Sequence, residues 1–495
     1  MRCAAVLMVL ALARVAAAAP HGTRLTYFGD PARSIAVSWN SSDPADDQLL
    51  YGTSAGALAT MVRAQRTAQA SPLDHSFTAR VTGLAPGTTY YYRVGGAGGA
   101  LRPAPPAAPL QWRTLEADPC RRFRFVLIGD NRADLDGIGA NPVWREILGE
   151  AMAQGPDFFL NTGDMVKNGE RADEWAPFID VSESGWALVP SLLTMGNHDE
   201  DQQFGDSALY NQLYELPRNS ATGSEDYYGI DVGPLHIVSL NSQFSNPAAS
   251  EMTQMVAWLD ADLGATQQPW KIVFFHKSIY SRGNHSTGEE NGAALNRLLV
   301  PIFDRHQVDF VLSGHSHDYE RYAPSVGVDS AFGGSGRNFP AGDGAAFRAR
   351  ATVPDGATAT TYMVSGGAGA LTTEFMGLSC IDPVCTRCTG FNFNCNAAVY
   401  NKDVAGTVVY DGRHNFGVFT VDGDRISVEV WTTAAGNSGG AQRSDSFMMT
   451  SGTTCATPPP SDAGVDASAS GADASGALDA AGTSGADGGQ PVGAA

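Results

Sequence analysis

Five apolar runs in this chain end in side chains able to bind a metal ion. VLIGDN carries Asp130, LNTGDM carries Asp164, LLTMGNHDE carries Asn197 and His198, IVFFHKS carries His276, and VLSGHSHDYER carries His315 and His317. Singly each is weak, because an aspartate after a strand is often a helix cap and a lone histidine is more often structural than a ligand. Together, in this order and at these ends, they make a donor set of carboxylates, one amide and imidazoles. Oxygen and imidazole ligands suit iron, zinc and manganese. Two such ions roughly 3.5–4 Å apart, bridged by a carboxylate, can hold a phosphoryl group beside an attacking hydroxide. The ions lower the pKa of the bound water, and neighbouring histidines can protonate the leaving alkoxide.

The elements that must position this set read as an α/β domain. RFRFVLIGDN and DFFLNTGDM are buried strands. Between them NPVWREILGEAMAQG predicts a helix, with Asn141 as N-cap, Pro142 at the first position and Gly155-Pro156 as the stop. Apolar runs alternating with helices imply an α/β fold, in which ligands bind beyond the carboxyl ends of the strands. Gly/Ala/Ser-rich insertions follow Asp318, then a cysteine cluster. TYMVSGGAGA, HNFGVFTVDG and ISVEVWTT return to strand character and are expected to complete the sheets. Upstream, SIAVSWN and TTYYYRV alternate and LAPGTTY carries a Pro-Gly turn, so residues 20–115 are expected to form a β-sandwich. The stretch Pro103 to Pro109 is expected to stiffen the connection to the next domain.

The ordered set GD, GD, GNH, a strand-end histidine and GHxH resembles the calcineurin-like metallophosphoesterases. GHSHDYER is similar to the purple acid phosphatase version, GHxHxYER, and GLAPGTTYYYRV resembles a fibronectin type III domain, which the larger members carry. The resemblance implies two packed β-sheets flanked by helices over 116–455, with insertions, behind a fibronectin-like sandwich. It implies two metal ions, with Asp164 bridging, Asp130 and His317 on the first, and Asn197, His276 and His315 on the second. His198 is implied to stand just outside the ligands. His285, nine residues after His276, matches the leaving-group histidine. His198 and His285 are thus the candidate acids.

Two positions depart from that pattern. Purple phosphatases have GDxxY, whose tyrosine binds the first metal and gives the colour, whereas GDMVK has Lys167 there. The first motif continues as Asn131-Arg132 rather than DxG or DxH. The expectation is a colourless protein even with iron, and a first site that is weaker or different in metal preference. Arg132 and Lys167 could face the site and bind phosphate oxygens, the arginine as a rigid fork and the lysine as a point charge. They could also turn to solvent or pair with Asp134, Glu170 or Asp173.

The 495 residues are 43% hydrophobic, with a formal net charge of -20 from 32 basic and 52 acidic residues. No basic run offsets this charge, so nucleic-acid binding is not expected. Residues 1–19 read as a secretory signal, and no apolar run is long enough to span a membrane. A secreted or periplasmic protein is expected. Cys120, Cys380, Cys385, Cys388, Cys395 and Cys455 then favour disulfides, two within the 380–395 cluster, which leaves Cys120 and Cys455 for a third pair; the spacing does not fix the connectivity. Residues 456–495 lack large apolar side chains and are expected to be disordered. The function expected is a metal-dependent phosphatase acting on small phosphomonoesters. The alternatives are a phosphodiesterase or nucleotide hydrolase, or a non-catalytic metal-binding adhesion protein.

Overall fold

Ile35, Val37 and Trp39 alternate along one strand and pack inward, Trp39 stacking on Phe77 at 5.6 Å. That strand belongs to a nine-strand N-terminal segment in the computed structural model. The structure describes residues 19–96, 100–133, 141–201, 207–244, 250–281, 285, 290–330, 334–340, 358–372, 379–380, 388–389, 406–433 and 440–451. The leader to residue 18, Cys385, Cys395, Cys455 and the 456–495 tail lie outside these residues, as does most of the 333–351 and 380–395 insertions. Cys120 is disulfide-bonded.

The N-terminal segment runs β1 (His21–Thr26), β2 (Ile35–Ser41), β3 (Gln48–Gly52), β4 (Thr60–Arg63), β5 (Gln65–Ala68), β6 (His75–Val81), β7 (Thr89–Gly95), β8 (Leu101–Arg102) and β9 (Leu110–Arg113). One sheet holds β4-β3-β7-β8 with β9 also on β7. Trp112 of β9 packs on Tyr90 and Tyr92, at 5.4 and 5.1 Å. The proline-rich stretch therefore joins β8 to β9 inside this segment and is not the connection to the next one. It interrupts pairing because proline cannot donate to a ladder.

The remaining elements follow in order. They are β10 (Phe123–Ile128), α1 (Pro142–Ala153), β11 (Phe158–Asn161), α2 (Ala172–Trp186), β12 (Ser191–Leu193) and α3 (Ala208–Leu213). Next come β13 (Tyr228–Val232), β14 (Leu235–Ser239), α4 (Ser250–Ala265), β15 (Trp270–Lys277), α5 (Glu290–His306), β16 (Phe310–Gly314) and β17 (Tyr319–Tyr322). The last are β18 (Thr361–Ser365), the short ribbon β19 (Ser379–Cys380) and β20 (Cys388–Thr389), then β21 (Thr407–Asp411), β22 (His414–Asp422), β23 (Arg425–Thr433) and β24 (Gln442–Thr450). In the ribbon Cys380 pairs with Cys388 in register.

Among the described residues, one sheet runs β24-β23-β22-β10-β11-β12-β1-β2-β6-β5. The other half of the N-terminal sandwich is thus continuous with the α/β sheet, through the parallel contact Thr26↔Ser191. A second sheet runs β13-β14-β15-β16-β18-β17-β21. The sheets meet face to face through aromatic side chains. Phe419 stacks on Phe125 at 4.5 Å and takes Phe310 edge-on at 5.6 Å. Strands β10, β11 and β12 are mutually parallel, as are β14, β15, β16 and β18. Their carboxyl ends set the loops of both sheets side by side, and the polar strand-end residues lie there.

Local sequence explains the helices that cover these sheets. Asn141 caps α1, its Oδ1 accepting from the Val143 and Trp144 amides at 3.0 and 3.3 Å, and Gly155 takes φ +65° just beyond the helix. Trp144, Ile147, Leu148 and Ala151 form its buried stripe. In α4 the stripe is Met252, Met255, Leu259 and Leu263. No helix among the described residues is long and apolar enough to cross a membrane.

Candidate metal centre

The loop after β10 and the loop after β11 are clasped together. The Asp130 amide donates to Gly163 O at 2.8 Å and the Arg132 amide to Asp164 O at 3.0 Å. Asp130 and Asp164 both take φ +57°, and His315 takes +71°. In this left-handed region each chain turns sharply and aims its side chain back over the strand end. Close approach also explains two glycines of the motifs. A Cβ on Gly163, at φ +97°, would lie 2.4 Å from the Gly196 nitrogen, and one on Gly196 would lie 2.2 Å from Asp164 Oδ1.

His276 lies within β15, fully buried. Its Nδ1 donates to Thr162 O at 2.9 Å, which turns the Nε2 lone pair inward. That nitrogen is 2.9 Å from Asn197 Oδ1, 3.1 Å from His315 Nδ1 and 3.3 Å from Asp164 Oδ1. Burial lowers the proton affinity of His276, so a neutral ring faces other acceptors. The Nε2 lone pair and the two oxygens, Asn197 Oδ1 and Asp164 Oδ1, repel at these distances unless a cation lies among them. Adjacent donors around an ion with bonds of about 2.1 Å stand about 3 Å apart, so this set fits a metal ion.

A second set lies on the other side of Asp164. His317 Nδ1 donates to Leu371 O at 2.8 Å, leaving Nε2 3.4 Å from Asp130 Oδ1. That carboxylate oxygen is buried and has no hydrogen-bond partner. Asp130, Asp164 and His276 bring ligand atoms within 4.8 Å of one another. Arg132 enters this second set. Its Nε donates to Asp164 Oδ2 at 3.2 Å, and its Nη2 lies 3.4 Å from His317 Nε2.

Electrostatics separate the two carboxyls. Burial pushes Asp130 up to about 7, with the Asp164 charge adding to it, against His276 and Arg132. Burial would also raise Asp164, but His276, His198, Arg132 and His315 outweigh it and hold that carboxyl well below the ordinary range. Burial and the Arg132 charge bring His317 down to about 3.

The remaining candidates also gather here. The His198 amide donates to Asp164 Oδ1 at 2.9 Å and its Nδ1 to Lys167 O at 2.8 Å. His285 stacks on His315 with centroids 3.8 Å apart, and its ring lies 6.4 Å from that of His317. Lys167 touches the site through its backbone: its carbonyl accepts from His198, and its amide donates to Glu174 Oε2 at 3.1 Å.

Three features of the site lay beyond the sequence reading. Asp199, fully buried, accepts four backbone amides: Met165 and Val166 on Oδ1, Asp164 and Gly196 on Oδ2. Burial and the Asp164 charge push its carboxyl up to about 8, against these amides. The loop after β18 braces the first loop, Ala368 donating to Gly129 O and Ala370 to Asp130 O at 3.0 and 2.7 Å. Ser316, between His315 and His317, ties the loop that carries His285 to the strand end. His315 is left-handed, so the backbone there is not extended. Ser316 Oγ accepts from the His285 amide at 3.3 Å and shares a hydrogen bond with Ser281, which donates to Glu320 at 2.8 Å.

Two stretches of the chain match known protein families. Residues 123–319 match the calcineurin-like phosphoesterase family, and residues 20–113 match the purple acid phosphatase N-terminal domain. Purple acid phosphatase 21 of Arabidopsis thaliana is 29% identical over 49% of this chain and 52% of its own length. Purple acid phosphatase 18 of the same plant is 24% identical over 61% of this chain and 66% of its own length. The chain thus spans about half to two thirds of these relatives. A purple acid phosphatase structure from yellow lupin, Lupinus luteus, superposes with a TM-score of 0.65 at 17% identity, covering 87% of this chain and 74% of that one. The chain thus carries a calcineurin-like phosphoesterase domain over residues 123–319 and, in front of it, a purple acid phosphatase N-terminal domain over residues 20–113.

Proposed function

We propose that this chain is an exported, metal-dependent phosphatase acting on small phosphomonoesters. The observation that carries the proposal is the convergence of Asp164, Asn197 and His315 on His276 Nε2 at 2.9–3.3 Å. Those four residues would hold one ion. Asp130 and His317, with Asp164, are the residues that would hold a second. A bound ion, whether iron, zinc or manganese, supplies a Lewis acid and lowers the pKa of water.

The protein's own groups do the rest. Thr162 and Leu371 carbonyls fix the tautomers of His276 and His317, so each presents a lone pair. Arg132 offers a planar donor fork on the phosphate side. His285, stacked over His315, would give its proton to the departing alkoxide, with His198 as the other candidate acid. Ser316 holds the His285 backbone in place. The side chain of Lys167 would add a point charge. Export rests on the leader-like residues 1–19.

The test is phosphate release from an aryl phosphomonoester, with a bis-aryl phosphodiester alongside, after stripping and reloading with each metal. Monoester turnover that needs metal and vanishes in Asp164→Ala is the expected result. Turnover of the diester alone would make the chain a phosphodiesterase. No turnover with any metal in folded protein would remove the catalytic reading.

A further inference from the structure

We infer that the centre holds one metal ion tightly and that the Arg132 guanidinium occupies the place of the other. The inference rests on the metal-centre reading above and concerns how the charge there is made up. The two donor sets flanking Asp164 differ. Around His276 Nε2 the neighbours are acceptors, Asn197 Oδ1 and Asp164 Oδ1, with His315 Nδ1 beside them. Around His317 Nε2 a cation is already present. Arg132 is only 8% exposed, and its guanidinium reaches both Asp164 Oδ2 and His317 Nε2.

That placement is built into the backbone. The Arg132 amide donates to Asp164 O, and Asn141 Nδ2 donates to both Asn131 O and Arg132 O, at 2.9 and 2.8 Å. The residue that caps α1 therefore also fixes the root of the arginine. At the two departures from the family pattern, Lys167 and Asn131-Arg132 supply neither a phenolate nor an imidazole. A second ion would have to displace a buried, paired guanidinium from Asp164. A guanidinium can hold phosphate oxygens through parallel N–H bonds, but it cannot ligate a water and so does not acidify it as a bound metal ion does. Arg132 is thus a charge-supplying and phosphate-orienting residue, and the ion beside His276 is the one that matters for water.

The experiment is Mn(II) titration of the full chain by equilibrium dialysis with elemental analysis, together with EPR. Wild type is expected to take one ion per chain with the signal of isolated Mn(II). A second ion should bind at least about 100-fold more weakly, since removing one partner from a buried ion pair is costly. Arg132→Ala should take two ions and show spin coupling, whereas Arg132→Lys, which keeps the charge, should stay near one. His317→Ala should still take one ion, and this variant keeps the test valid if Arg132→Ala does not fold. Two tight, coupled ions in wild type would overturn the inference, as would a single ion lost in His317→Ala or a folded Arg132→Ala that still takes one. No ion in wild type, unchanged in His276→Ala, would instead defeat the metal-centre reading itself.

Discussion

His285 and Asp199 both belong to the site yet have different duties. If His285 protonates the leaving group, His285→Ala should barely affect an ester whose leaving alkoxide is already stable. It should slow an alkyl phosphate by about 10²–10⁴-fold, so the ratio of kcat values for the two substrates is the readout. Asp199 touches no substrate; it gathers the amides of Asp164, Met165, Val166 and Gly196. Asp199→Asn puts an amide group against those donors, and metal affinity or activity should fall roughly 10–100-fold, with about 1–3 kcal/mol of stability lost per donor left unpaired. Metal titration and urea melts would check both. Iron-loaded protein should show no intense visible charge-transfer band, because Lys167 offers no phenolate; a purple spectrum would contradict this. Asp130, Asp164, Asn197, His276, His315 and His317 were legible because each ends an apolar run. The role of Asp199 was not, because a carboxylate that accepts backbone amides leaves no pattern of spacing. Nor was the direction of Arg132, which depends on Asn141 holding its carbonyl.

At the scale of elements, the hairpin β13–β14 is locked onto α4 by one imidazole. His236 Nδ1 meets Asp231 Oδ1 and its Nε2 meets Asp262 Oδ2, both at 2.8 Å. Burial opposes the charge, but the two aspartates outweigh it and hold the ring protonated up to about 9, above its ordinary value of 6.5. The folded-state value is raised, so this stabilisation is complete below pH 6.5 and is lost as pH rises towards 9. It is worth on the order of 2–3 kcal/mol. Urea melts across that range should show wild type losing stability relative to His236→Leu, whose profile should be flatter; parallel profiles would disprove the clamp. The helix α1 was readable from Asn141, Pro142 and Gly155, which are local signals. The stretch SGGAGA read only as the end of a strand. Its bracing of Gly129 and Asp130 joins residues remote in sequence, and glycine and alanine carry no side-chain mark of such a role.

At the scale of the whole molecule, the N-terminal sandwich is stitched into the larger sheet. Thr26 pairs with Ser191, Arg24 Nε donates to Leu213 O at 2.7 Å, Thr26 Oγ1 to Glu215 O at 2.6 Å, and Tyr92 OH to Ala187 O at 2.6 Å. Removing residues 20–113 would expose the edge of β12 and strand these acceptors. That truncation should yield insoluble protein or a chain without a cooperative melt, by solubility and circular dichroism. A folded fragment that still takes up metal would show the sandwich to be dispensable. Strand alternation disclosed the sandwich itself. Its fusion to the next sheet was hidden, because a single parallel contact between distant segments has no periodicity. The same topology governs the order of synthesis. Phe123 of β10 pairs with Val421 of β22, and His317 depends on Leu371. A growing chain therefore exposes the open edge of β10 long before its neighbour has been translated. Contacts so distant along the chain are slow to form, and a ribosome that halts early leaves an unpaired strand prone to self-association.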